Sequence, residues 1–593
     1  MKSAIIGTLV SLLALATPAI GKEGGGKTAR VSAVSQSWEQ KDRNLGHVLE
    51  MISRAAAQRA DIVCLAEQCV PTDGGQQAAA ALGAISKAAG ENKMYVVANL
   101  NEKEGGKLFS TSYLVGPDGK LVGKYRKSHR LPHEKIALGD ELPVFDTRFG
   151  KVGLMIGSDH YWPEIPLVMS LKGAKLILWS HSPEAVPQAF PLDIKMRVRA
   201  LDDHVTLVCS NYAGELPYLC SNYPGYTGGP LGCGYVVDRS GMTLANTGWH
   251  AGVAVAPVDL DRPKDIYFLT FTEDRKLFRY LTDPNLKPTA FKGKKRKIKV
   301  SIAQVISSHG PTPDPNSQFA KILDEAGRGN PDVILMAEFG FPTETPAAKT
   351  TFAMVAEKAR KYNTYIIIGG LRDPAIPNKL GRATSWAYIW DRSGEVVGKY
   401  RISQYGLSKE LPVFKTDFGV VGLILCGDIY SQEICRALTL QGAEIILCGS
   451  QSWGPNGLFN LWMQQARAID NCVYMATAHF PFSDIGQRSY ILDPYGYILA
   501  ASQYMRDCVF STEVDLDAGR IWFAPSEKPG TAGRKGYLAG YYPKTVPQKR
   551  TDLRAVLLAG RRPELYGPIV EQTLADRDTP EAVRAKMDSP RTD

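Results

Sequence analysis

Apolar and polar positions along the chain follow two periods. Short runs rich in valine, isoleucine and leucine, among them ADIVCLAE, KMYVVANL, KVGLMIG, AKLILWS and HVTLVCSNY, have the length and β-branched content of buried strands. Between several of them lie stretches such as NLGHVLEMISRAAAQRA, whose apolar residues recur at helical spacing. The segments PDG, DRSG and DPYG mark turns between strand-like runs. Strands that alternate with helices and hairpins predict an α/β class, a mixed sheet with a helical layer, paired face to face with a second sheet.

The whole pattern occurs twice. LVGKYRKSHRLPHEKIALGDELPVFDTRFG at 121–150 returns as VVGKYRISQYGLSKELPVFKTDFG at 396–419. ADIVCLAEQCVPT around Glu67 returns as PDVILMAEFGFPT around Glu338, and VGLMIGSDHYWPE at 152–164 as VGLILCGDIYSQE at 421–433. RVRALDDHVTLVCSNY at 197–212 returns as QARAIDNCVYMATAHF at 465–480. One domain has been duplicated in tandem, and each copy, at roughly 260 residues, is large enough to bury its own core. The expected boundaries are a first domain at 28–282, a basic linker at 283–297, a second domain at 298–549 and a C-terminal tail at 550–593 that extends as helix.

Composition adds little to this picture, since 44% hydrophobic and 22% charged residues are ordinary for a globular protein. The net charge of +10 is concentrated in KGKKRKIK at 292–299, between the copies, which reads as a solvated linker and not as a nucleic-acid signal. The N-terminus changes more. Lys2, an apolar run from Ala4 to Ala16, Pro18 and the small-residue pattern Ala19-Ile20-Gly21 have the form of a signal peptide at 1–21, so the mature chain is expected to be exported, periplasmic or extracellular, with no membrane segment after cleavage. Export makes a disulfide possible, and Cys220 with Cys233, flanking a Tyr/Gly/Pro-rich loop, is the expected pair. Cys64, Cys209, Cys448 and Cys472 lie in or beside apolar runs and are expected as buried small hydrophobes.

Three positions fall at ends of apolar strands, where an α/β layout presents its reactive groups: Glu67 or Glu338, Lys127, and the turn before Asp159 or Asp428. A carboxylate, a lysine and a cysteine on such ends make a plausible amidase site, with glutamate as general base, lysine stabilising the oxyanion and cysteine as nucleophile. A strand ending in glutamate, a YRK-x-H segment, and a strand ending in Cys-x-Asp with Pro-Glu after it are motifs of the nitrilase superfamily, and both copies resemble its carbon-nitrogen hydrolases in motif order over nearly the whole mature chain. The resemblance implies two tandem αββα sandwich domains packed as an internal pseudo-dimer. It implies no cofactor and no metal. His129 and His133 have the spacing of a helical metal pair, but Pro132 between them favours a loop.

Carried over residue by residue, the resemblance leaves each site incomplete. In the first copy Glu67 matches the base, Lys127 the lysine and Glu134 the supporting second glutamate. Counting from Gly153 and Gly422 aligns Cys426 with Gly157, so glycine holds the nucleophile position and Ser158 stands one residue late. In the second copy Glu338 and Cys426 are in place, but Ile402 stands where the lysine belongs, and a shorter loop removes the supporting glutamate and leaves Lys409 as the nearest substitute. Two readings follow. One is an exported amidase- or nitrilase-like hydrolase acting through Cys426, with Glu338 and Lys409 or a backbone group, on a small amide or nitrile. The other is a degenerate pair kept as a small-molecule binder or scaffold. Completion of the Cys426 site by Lys127 would require the two pockets to merge. Neither reading calls for nucleic acid, and oligomerisation beyond the internal pair stays open.

Overall fold

A computed structural model describes residues 28–37, 44–132, 134–182, 192–213, 233–248, 250–261, 275–286, 296–305, 315–338, 346–377, 383–403, 408–452, 457–481, 488–503, 506–517, 521–525 and 548–571. Parallel strands covered on both faces must be apolar almost throughout, and the central strands here are: every residue of Leu176–Ser180 and of Val420–Leu425 is buried. In the first copy one sheet runs Leu121–Arg126, Lys107–Val115, Tyr95–Glu104, Ile62–Cys64, Thr28–Ser37 and Gly252–Asp259. The other runs Val144–Thr147, Gly150–Ile156, Leu176–Ser180, Thr206–Ala213, Tyr235–Val237 and Thr243–Asn246. Ser35, Gln36 and Ser37 pair with Asn211, Tyr212 and Ala213 and join the two at one end.

The second copy repeats this order as two six-stranded sheets. Val396–Arg401, Ala383–Trp390, Tyr365–Pro377, Val333–Glu338, Lys297–Gln304 and Cys508–Asp515 form one. Val413–Lys415, Val420–Leu425, Ile445–Ser452, Tyr474–Pro481, Tyr490–Leu492 and Ile498–Ala501 form the other. Helices cover the outer faces. Leu45–Ala57 buries Val48, Met51, Ile52 and Ala55, one stripe at helical spacing, and Asn44 caps its first turn by accepting from the His47 amide. With Gln76–Asn92 it covers the first sheet, while Glu164–Leu171 and Leu192–Asp203 cover the second. Each copy is thus an αββα sandwich.

The copies meet through the second pair of helices in each. Leu192–Asp203 packs on Gly457–Asn471, and two buried ion pairs cross between them: Arg199 to Asp470 at 2.7 Å and Arg467 to Asp202 at 2.6 Å. Arg199 and Arg467 are repeat equivalents, as are Asp202 and Asp470, so the two pairs exchange under a pseudo-twofold axis, the signature of an isologous interface. Arg436 adds a fork to Glu164, with its Nε 2.7 Å from one carboxylate oxygen. Extensions also cross. Arg275, ahead of the short helix Arg279–Thr282, reaches Glu433 at 3.1 Å. From the second copy, Gln548–Asp552 pairs with Ile521–Pro525, and Leu553–Ala559 and Pro568–Glu571 then carry the chain onto the first copy. There Trp162 donates to the Leu557 carbonyl at 3.0 Å, with Leu557, Tyr566 and Ile569 buried. The helical extension expected for the tail is present as far as residue 571.

The expected Cys220–Cys233 disulfide lies partly outside the described residues. Cys233 is a thiol that donates to the Tyr235 hydroxyl at 2.9 Å, just ahead of the strand Tyr235–Val237; Cys220 lies outside the described residues. Cys64, Cys209, Cys448 and Cys472 are buried as expected, and burial pushes the Cys64 thiol up to about 12. The signal segment and His133 also lie outside the described residues. Among the described residues, no helix is long and apolar enough to cross a membrane.

Candidate active site

In both copies the nucleophile position opens a tight turn at the end of a buried strand. Gly150–Ile156 runs into the turn Gly157–Tyr161, and Val420–Leu425 into Cys426–Tyr430. Both first residues are left-handed, Gly157 at φ +44° and Cys426 at φ +40°. Glycine takes that conformation freely, whereas for cysteine it costs about 1–2 kcal/mol. The aspartate two residues on fixes the turn in each copy. Asp159 accepts from the Ile156 amide at 2.8 Å and the Tyr125 hydroxyl at 2.9 Å; Asp428 accepts from the Leu425 amide at 3.0 Å, the Tyr400 hydroxyl at 2.7 Å and the Ser403 hydroxyl at 2.7 Å. Burial raises Asp159 to about 7, with the charge of Lys127 opposing.

Glu67, Lys127 and Glu134 come together in the first copy. Lys127 is fully buried; its ammonium lies 3.3 Å from Glu67 and in closer contact with Glu134. Burial pulls it down, but Glu67, Glu134 and Asp159 overcome this and hold it above the usual lysine range. Glu134 also accepts from the Leu131 amide at 2.6 Å and from the Ser158 hydroxyl at 2.7 Å. Ser158 is therefore a buried support for Glu134, in keeping with its place one residue beyond the nucleophile position. Ser182 donates to Glu67 at 2.5 Å, and Trp179 donates to the Gly157 carbonyl at 3.1 Å.

The Glu67 carboxylate occupies the space a nucleophile would need. A Cβ placed on Gly157 overlaps both carboxylate oxygens and lies 2.7 Å from the carboxyl carbon. Gly157→Cys must therefore drive Glu67 away from Lys127 and Ser182, an overpacking that typically costs about 1–3 kcal/mol. The expected outcome is a lower melting temperature and no gain in amide hydrolysis at that site. Calorimetry with an ammonia-release assay checks both, and a stable, active variant would show that Glu67 yields freely.

The second copy holds its glutamate without a lysine at the position of Lys127. Glu338, buried at the end of its strand, accepts from the Ser385 hydroxyl at 2.6 Å. A Cβ on Gly369 would meet Leu425 Cδ2 at 2.8 Å and Glu338 Cα at 3.5 Å, so the base and the strand leading to Cys426 share one floor. Cys426 is half-buried and Cys435 and Cys448 are fully buried, and none of the three is in a disulfide. Burial, and then proximity to Cys426, pushes Tyr430 above its usual range, and its hydroxyl bonds Asn460 at 3.1 Å. Ile402 is buried in the place of Lys127: its amide bonds the Ser385 carbonyl at 3.0 Å, as the Lys127 amide bonds that of Ser110 at 2.9 Å. Lys409 is exposed. Lys127 is engaged with its own two glutamates. Among the described residues, no cluster of three or more His, Cys, Asp or Glu is arranged to hold a metal ion.

The family model for carbon-nitrogen hydrolases matches residues 28–266 and again 300–522. The chain belongs to the carbon-nitrogen hydrolase family. Among curated relatives of this family, the chain is 26% identical over 253 residues to the omega-amidase NIT2 of Bos taurus, covering 38% of this chain and 86% of that protein. It is 39% identical over 129 residues to a nitrilase of Pyrococcus abyssi, spanning 21% of this chain and less than half, 46%, of that one. Among solved structures, Nit3 of Saccharomyces cerevisiae, a member of branch 10 of the nitrilase superfamily, is 25% identical with a TM-score of 0.34, covering 39% of this chain and 90% of that one.

Several residues of this carbon-nitrogen hydrolase site escaped the strand-end argument. Ser182 and Ser385, which hold the two glutamates, come from unequal places in the repeats and leave no shared signal. Tyr125 with Ser128 and Tyr400 with Ser403 did leave one, since KYRKS and KYRIS keep both types at one spacing. His129 lies at neither a metal site nor the surface. It bonds Ser128 at 2.8 Å and Tyr566 of the C-terminal extension at 2.7 Å, and burial lowers it to about 3. A neutral histidine in the fold, with an ordinary value of 6.5 when unfolded, gives stability that is present above pH 6.5 and lost as the pH falls towards 3. Relative to His129→Gln, the wild type is expected to lose melting temperature as the pH drops through that window; equal pH slopes would rule this out.

Proposed function

We propose that this protein hydrolyses a small amide or nitrile through Cys426 of the second copy, with Glu338 as the general base. The observation that carries the reading is the conformation of Cys426. A non-glycine residue is held left-handed at a strand end, where its counterpart in the first copy is the unstrained Gly157, and strain of this kind persists where surrounding structure enforces it, as at reactive sites. With an amide, the Cys426 thiol would give its proton to Glu338 and bond the carbonyl carbon; the C–N bond would break and the amine would leave with that proton. Water, deprotonated by Glu338, would then cleave the thioester and restore the thiol.

A binding role is the second reading, favoured by one observation: Ile402 is buried where the first copy holds Lys127, so the side chain at that position has no proton to give an oxyanion. The experiment that separates the two is ammonia release by the purified mature chain over a panel of small amides and nitriles, paired with alkylation of Cys426. Turnover abolished in Cys426→Ala supports the hydrolase; ligand binding without turnover, and a sluggish thiol, supports the binder. Export belongs to the same proposal. It rests on the segment from Lys2 to Gly21, and a secreted chain that begins at Lys22 on N-terminal sequencing is the expected result.

A further inference from the structure

We infer that the first copy serves as a positioning subunit for the second: its Asp202 orients Arg467, and Arg467 holds the turn that carries Cys426. The inference rests on Cys426 being the reactive thiol. The turn Cys426–Tyr430 is a single 3-10 element, whose last carbonyls have no helical partner of their own. One of them, that of Ile429, accepts two bonds from Arg467, from Nε at 3.1 Å and from Nη2 at 2.8 Å.

The other edge of the same guanidinium is taken by Asp202, Nη1 to Oδ2 at 2.6 Å and Nη2 to Oδ1 at 2.7 Å. Arg467 is completely buried. A guanidinium is planar with its donors in a fixed fork, so gripping one edge decides where the other edge points. Asp202 lies on Leu192–Asp203, a helix of the first copy. The orientation of the donors that hold the Cys426 turn is thus set from across the interface.

The pseudo-symmetric pair shows what this arrangement is for. Arg199 and Asp470 are as deeply buried, at 2.7 Å, yet Arg199 turns its Nη1 to Gln432 at 2.9 Å, and its Nε makes no hydrogen bond among the described residues. The repeat counterpart of Ile429 is His160, in the turn that Gly157 opens. Glycine enters the left-handed region without strain and needs no support there, whereas Cys426 does. The brace reaches the turn with the strained residue and not the one with the free residue. Arg467 and Asp202 are positioning residues, acting on the thiol only through the backbone between Cys426 and Ile429.

The test uses the full chain as wild type, Asp202→Asn, Arg467→Lys and, as control, Asp470→Asn. The rate of iodoacetamide alkylation at Cys426, read by peptide mass spectrometry from neutral to alkaline pH, is measured beside the melting temperature. Asp202→Asn and Arg467→Lys are expected to slow alkylation on the order of tenfold and to displace its pH profile, since small misplacements of a reacting atom are costly. Asp470→Asn is expected to keep the wild-type profile even where it loses as much melting temperature. Should Asp202→Asn fail to fold, Arg467→Lys, which keeps the charge towards Asp202 but not the fork, carries the comparison. An Asp470→Asn profile that moves as far as the others, or profiles that do not move at all, would overturn the brace. A wild-type Cys426 no more reactive than the buried Cys435 would instead defeat the hydrolase reading, and the wild-type arm alone reveals it.

Discussion

Cys426→Ala is expected to abolish ammonia release from every amide or nitrile the wild type hydrolyses, a fall on the order of 10³-fold or more in kcat/KM, because no other group can take the covalent route. The rest of the site argues against rescue from elsewhere. Ser158 is buried and committed to Glu134, and the nucleophile position of the first copy is glycine. Substrate affinity should change far less than turnover, since the side chain lost is small. Melting temperature should change little, since the side chain lost is small and half-buried and alanine bears a similar left-handed cost. Activity that survives Cys426→Ala would sink the assignment and turn attention to the first copy.

Ile402→Lys is expected to raise turnover by about 10² to 10³, the size usually lost when one oxyanion donor is removed from such a site. The backbone at 402 already follows that at 127, with its amide on the Ser385 carbonyl as that of Lys127 is on Ser110. A lysine there would reach towards Glu338 as Lys127 reaches Glu67 at 3.3 Å. Its burial has a cost, since an ammonium replaces hydrocarbon in a nearly closed position and the loop lacks a counterpart of Glu134. A lower melting temperature should accompany the faster reaction. Unchanged kcat in a folded variant would mean that another group already stabilises the oxyanion, or that no reaction takes place.

How much of this was legible in the chain varies from element to element. Leu176–Ser180 and Val420–Leu425 were plain because strands buried on both faces have to be apolar at every position. Glu67, Lys127, Glu338 and Cys426 were found because each ends or follows a strand and the duplication aligns their positions, whereas Glu134 came only from the resemblance to the nitrilase superfamily. The Cys220–Cys233 pairing was not legible, because proximity in a loop says nothing of where the two β-carbons point; Cys233 is engaged by Tyr235, and Cys220 lies outside the described residues. His129 invited a metal reading by spacing alone. Its partner Tyr566 lies 437 residues away, beyond the reach of any local pattern.

By itself the sequence determined the duplication, the sandwich class of each copy and the chemical identity of the residues at every strand end. Those are properties of period and residue type, which a chain carries whether or not it is folded. Only the tertiary structure decided how those residues are used. It put the Glu67 carboxylate into the space beside Gly157, buried Ile402 where an ammonium stands in the other copy, and left Lys409 exposed. It also made Arg199 and Arg467, identical in type and register, do different work, because each guanidinium is oriented by partners more than 200 residues away. Packing across the interface is set by the shape of both copies together, and no stretch of either repeat contains it.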